Sequence, residues 1–117
     1  MFWKGPVFTS EGFVAKGIDL ENCSVANNIE GEENGIIIPL FRNCHTHLGD
    51  TLARNEMPRN LSLSELVGPN GWKHKWLAKN DQRTSAIAGV KEIINSGTGL
   101  VMDFREGGKK GLDAKIT

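Results

Sequence analysis

Two apolar runs and the helical stretch between them constrain the fold most. Ile36-Ile-Ile38 are consecutive β-branched residues, and Leu40 and Phe41 follow Pro39. An unbroken run of this kind suits a strand covered on both faces, as in a parallel sheet. Proline cannot donate to a strand ladder, so Pro39 marks a bulge or an edge, and the expected strand runs from Leu40 to His47. Farther on, Ala86, Ile87, Val90, Ile93 and Ile94 recur at helical spacing over Asp81 to Asn95, and Gly97 supplies a stop. Gly99-Leu-Val-Met-Asp-Phe104 then reads as a second short buried strand. Strand, helical excursion, helix, strand is the order of a βαβ unit, and it implies a parallel sheet.

Between the runs, Ser62-Leu-Ser-Glu65 has the capping-box pattern, which predicts a short helix over Leu63 to Val67 ended by Gly68-Pro69-Asn70-Gly71. Trp72 and Trp76 sit four apart and can share a helix face. Gly107-Gly108 turns the chain, and Leu112 to Ile116 reads as the first turns of another helix. Ahead of residue 35 the pattern is different. Val7 to Thr9 and Gly12 to Val14 flank a Ser10-Glu11 turn, a hairpin signal, and Lys16 to Leu20 alternates. Asn27 to Gly35 is polar, acidic and glycine-bearing. It is read as a loop and as the boundary between a β-rich segment, residues 1–34, and a second segment, residues 35–117.

Two of the three histidines, His45 and His47, fall where the first buried strand should end. Residues i and i+2 of a strand project to one face. Two imidazoles on one face, already oriented by the backbone, can bind a divalent metal such as zinc. The bland alternative is a pair of surface or packing histidines. Asp50 lies just beyond and can either accept a hydrogen bond from an imidazole N–H or cap the next loop. Asp103, at the end of the second strand, has two readings as well: a catalytic or substrate-facing carboxylate, or a strand-end residue bonding the following turn. His74, between lysines in Trp72-Lys-His-Lys-Trp76, reads as an exposed residue.

The two motifs resemble one family. Ile37-Ile-Pro39 with Asn43-Cys-His-Thr-His-Leu-Gly-Asp50 is similar to the first barrel strand of the amidohydrolase superfamily. Ser96-Gly-Thr-Gly-Leu-Val-Met-Asp-Phe-Arg-Glu106 resembles its second strand. Two positions depart from the pattern: Leu40 stands where the family often has glycine, and Gly99 where threonine is frequent. The resemblance implies an α/β fold, the N-terminal fragment of a (β/α)8 TIM barrel comprising about its first two βα units, preceded by a small β-sandwich segment. A whole barrel needs about 250 residues. It also implies a metal-dependent hydrolase cleaving C–N bonds of a small-molecule substrate, with His45 and His47 as metal ligands and zinc as the first choice of ion. The family completes its site with a lysine or glutamate, two further histidines and an aspartate from later strands. The 117 residues are therefore expected to be inactive alone, with a complementing chain or a second copy of the chain as candidate partners. The alternative from another class is a non-catalytic folded module or partner subunit with a vestigial His-X-His pair.

Bulk properties narrow the remaining classes. Fourteen basic and fourteen acidic side chains cancel, and no long basic run occurs, which argues against nucleic acid and anionic membrane as partners. The apolar runs are too short to span a bilayer, and Met1 to Pro6 lacks the features of a signal peptide. Cys23 and Cys44, outside any dense cysteine framework, read as reduced cytoplasmic thiols, with a single disulfide as the alternative. Cys44 is expected as a small packing residue opposite His45.

Overall fold

The computed structural model describes residues 2–26 and 35–114, in two compact units divided after Pro39. The boundary expected at 34/35 falls against residues 27–34, which lie outside the described residues, as do residues 115 and 116 of the expected last helix.

The first unit is a single antiparallel sheet in the order β1 (Phe2–Thr9), β2 (Gly12–Asp19), β3 (Ser24–Ala26). The hairpin forms around Ser10-Glu11 with Thr9 opposite Gly12, and it is longer than the local pattern suggested, reaching Phe2 opposite Asp19. Thr9 Oγ1 donates to the Gly12 carbonyl at 3.0 Å, and Gly12 takes the positive φ of 93° that closes the turn. The Asp19 carboxylate ends β2 by accepting from the Glu21 N–H at 3.0 Å and from Asn22 Nδ2 at 2.6 Å.

The second unit begins with β4 (Phe41–Thr46), which pairs in parallel with β5 (Thr98–Asp103). Between them lie a kinked 3₁₀ segment (Leu48–Asn55), α1 (Leu63–Val67), α2 (Trp72–Lys79) and α3 (Gln82–Asn95), and α4 (Gly108–Asp113) follows β5. The capping box of α1 is complete: the Glu65 N–H reaches Ser62 Oγ at 3.4 Å, and the Ser62 N–H reaches Glu65 Oε2 at 2.9 Å. Asp81 caps α3, accepting from the N–H groups of Arg83 and Thr84 at 3.0 and 3.2 Å. Gly97, at φ 76°, stops the helix as its position implies.

The helices pack on the 3₁₀ segment, not on a broad sheet. Ala53, Trp76 and Leu77 form a buried cluster, with Leu52 and Trp72 packed against it. On α3 the residues turned inward are small, Ser85, Ala86 and Gly89, so the backbones approach closely. A Cβ at Gly89 would lie 2.9 Å from Leu48 Cδ2 and closer still to the Thr51 hydroxyl. The Leu52 N–H donates to Ser85 Oγ at 3.0 Å across this contact.

The expectation of a TIM-barrel fragment led by a β-sandwich is corrected. The described residues form a small mixed α/β structure: one antiparallel sheet in a single layer, and separately one parallel pair. A strand inside a barrel pairs on both edges, whereas β4 and β5 pair only with each other among the described residues. The run 36–38 is not a strand buried on both faces: Ile36 and Ile38 are 65% and 48% exposed, and Ile37 makes only an isolated parallel bridge to Val7. β-branched runs report a preference for extended backbone, but burial on both faces also requires two covering layers.

Candidate functional site

β4 ends at Thr46, so His45 is its penultimate residue and His47 follows it with φ −131° and ψ 71°. The register of β4 on β5 slips between Asn43 and Thr46. At that irregularity the Asn43 side chain accepts the His45 N–H at 3.1 Å. The two rings meet with Nε2 atoms 3.1 Å apart and ring centroids 5.0 Å apart. Phe104, just beyond β5, stacks on His45 at a centroid distance of 4.5 Å.

Behind His47 stands a charge network. Glu106 Oε1 lies 3.0 Å from His47 Nδ1 and 2.5 Å from Lys73 Nζ. Lys73 Nζ also lies 2.7 Å from Asp50 Oδ2, and its side chain is only 13% exposed. Burial works against the Lys73 charge, but the Asp50 and Glu106 carboxylates outweigh it and its pKa stands raised. Burial likewise works against the Glu106 charge, yet Lys73 and then His47 hold its carboxyl below the usual range. His47 Nδ1 makes no aligned hydrogen bond to the carboxylate despite the close approach, and the second oxygen, Glu106 Oε2, is buried without a partner.

Asp50 pairs with Lys73, and the carboxylate beside the imidazole is Glu106. Asp103 accepts the Leu48 N–H at 2.7 Å and the Thr46 hydroxyl at 3.3 Å, and pairs with Arg105 Nε at 2.6 Å. It thereby ties the end of β5 to the turn after β4. His74 is exposed, with Nδ1 3.1 Å from the Gly68 carbonyl oxygen. Cys23 and Cys44 are both free thiols and exposed. Among the described residues no helix is long and apolar enough to cross a membrane.

Two nitrogens bound to one tetrahedral zinc at 2.0–2.1 Å stand about 3.3 Å apart. The His45 and His47 Nε2 atoms, at 3.1 Å, fit a shared ion, and a carboxylate behind a ligating imidazole is the usual supporting arrangement. Among the described residues no group of three His, Cys, Asp or Glu side chains is arranged to hold a metal, so the fit extends to two ligands.

Known proteins bear on this geometry. The chain is 37% identical over 114 residues to a protein of Archaeoglobus fulgidus provisionally named an aminohydrolase, covering 95% of this chain and 34% of that one. It is 33% identical to an uncharacterised protein of Methanocaldococcus jannaschii, over 93% of this chain and 28% of the relative. A protein of Methanothermobacter thermautotrophicus, also provisionally named an aminohydrolase, is 31% identical over 82 residues. The chain thus spans about a third or less of the length of the curated relatives it matches. No family model matches this sequence, and no solved structure does.

Sequence reasoning singled out the two histidines, whose rings meet in the structure, but not Lys73, which joins Asp50 and Glu106 beside them. A lysine on a helix with charged neighbours carries no local signal of burial. Glu106 had one faint signal, its place three residues after the end of β5.

Proposed function

We propose that the chain is part of a metal-dependent hydrolase that cleaves a C–N bond of a small-molecule substrate, with His45 and His47 as two ligands of a divalent ion, zinc first. The observation that supports this is the convergence of both Nε2 atoms to 3.1 Å at the end of a parallel strand. The relatives named as aminohydrolases support the choice of bond. The chemistry supplied by such an ion when bound is acidification of water and polarisation of the carbon under attack. This chain's own residues hold and orient. The end of β4 presents His45 and the residue after the strand presents His47, Phe104 stacks on His45, and Glu106 backs His47. A catalytic zinc wants three protein ligands and an open position, so the remaining ligands are supplied from outside the described residues.

Zinc titrated onto the ¹⁵N-labelled chain is expected to move the imidazole signals of His45 and His47 together and to leave His74 unmoved. His45→Ala should remove the His47 response. No movement of the pair, or equal movement of all three rings, overturns the ligand assignment. The bond cleaved is tested in the Archaeoglobus relative with its matching segment replaced by this chain. Ammonia release from amino-substituted small molecules should appear and should disappear with His45→Ala; release that survives the substitution overturns the reading.

A further inference from the structure

We propose that Lys73 is a positioning residue for the histidine pair: its ammonium group, held between Asp50 and Glu106, fixes the Glu106 carboxylate behind His47. His47 then carries its proton on Nδ1 and turns the Nε2 lone pair toward His45. The inference rests on the metal-site reading for its purpose, but not for its geometry.

An imidazole can place its single neutral-state proton on either nitrogen, and only the unprotonated nitrogen can bind a cation. An ionised carboxylate accepts and never donates. Glu106 Oε1, 3.0 Å from His47 Nδ1, therefore favours the proton on that nitrogen and frees Nε2. The ring N–H is poorly aligned on the oxygen, so this contact alone is a weak anchor for a flexible glutamate. Lys73 supplies the anchor. It touches the same oxygen at 2.5 Å, is itself tied to Asp50 at 2.7 Å, and is almost enclosed. Asp50 sits at the kink of the 3₁₀ segment and Lys73 in the first turn of α2. The fold around the pair thereby determines which nitrogen is available. A carboxylate set free of Lys73 would sample rotamers that leave Nδ1 unsupported, and the proton would redistribute over both nitrogens.

The test is long-range ¹H–¹⁵N NMR of the histidine rings in the whole chain without metal, at about pH 8, above the imidazole range, followed by zinc titration on the same signals. The wild type and Lys73→Arg are expected to show His47 protonated on Nδ1. Lys73→Met should show a mixed or Nε2-protonated ring, with zinc affinity lower by about tenfold or more. The double variant Asp50→Asn, Lys73→Met relieves the carboxylate left unpaired beside residue 73. It should show the same mixed or Nε2-protonated His47 ring, and it carries the test where Lys73→Met alone fails to fold. A merely structural lysine would not move the protonation site of a ring it does not touch. His47 protonated on Nε2 in the wild type, or unchanged in the folded Lys73 variants, overturns the proposal whatever zinc does. The expected protonation pattern with no zinc uptake leaves the positioning role standing and removes the metal reading instead.

Discussion

Leu40 fills the space that a side chain at residue 99 would need: a Cβ built on Gly99 would lie 2.9 Å from Leu40 Cβ. The leucine Cδ1 can swing away, because Leu40 is exposed, but its Cβ moves only with the backbone at the start of β4. Gly99→Thr, although it adds a better strand former, should cost about 1–3 kcal/mol through overpacking. Leu40→Gly should remove most of that penalty when combined with it. A double-mutant cycle by urea denaturation is expected to show a coupling of about 0.5–3 kcal/mol, and additive effects would mean the two positions do not compete.

The same pair shows what local sequence could and could not reveal. Leu40 and Gly99 are separately visible as departures from the amidohydrolase pattern, but their compensation appears only when β4 lies beside β5. α1, α3 and the parallel pair were legible because their signals are local: Ser62 with Glu65, the spacing of Ala86 to Ile94, and apolar runs either side. The 3₁₀ segment was not, since Leu48–Asn55 is half polar and is held in place by contacts with Ser85 and Gly89 of α3, far along the chain. The burial expected of Ile36 to Ile38 did not follow from their composition, which specifies extended backbone but not the layers needed to cover it, and the barrel came only from the resemblance. At the site, His45 and His47 were legible from their spacing. Lys73 was hidden because its partners, Asp50 and Glu106, come from distant parts of the chain.

Ser85 is fully buried and accepts the Leu52 N–H from the 3₁₀ segment. Ser85→Ala removes the acceptor while barely changing volume, leaving a backbone donor unpaired. A loss of about 1–3 kcal/mol is expected. Hydrogen exchange at Leu52 should quicken at the same time. Unchanged exchange there would show that the hydroxyl is not its acceptor in solution.

Asp103 joins two strand ends through the Leu48 N–H, the Thr46 hydroxyl and Arg105. Asp103→Ala should therefore destabilise the fold by about 1–3 kcal/mol or more, because a buried donor and a guanidinium lose their acceptor together. Asp103→Asn keeps one carbonyl oxygen for Leu48 and should cost less. If both variants are as stable as the wild type while the zinc response of His47 is lost, the carboxylate serves the site and not the strand ends.

The Asp81 carboxyl is held below the usual range first by the Thr84 hydroxyl, at 2.6 Å, and then by the N–H groups of Arg83 and Thr84. A carboxyl whose folded pKa lies below its unfolded value contributes stability that is present in full above the unfolded value. The contribution is lost as pH falls through the folded one. The stability difference between the wild type and Asp81→Ala should thus be largest near neutral pH and shrink as pH falls below the usual aspartate range and through the lowered folded value. The loss should be read at α3, since capping satisfies donors of its first turn. Urea midpoints across that range, with amide exchange of Arg83 and Thr84 as the local reading, provide the measurement. A difference that stays constant down to the acid limit would mean that the ionised form of Asp81 has no advantage at this cap.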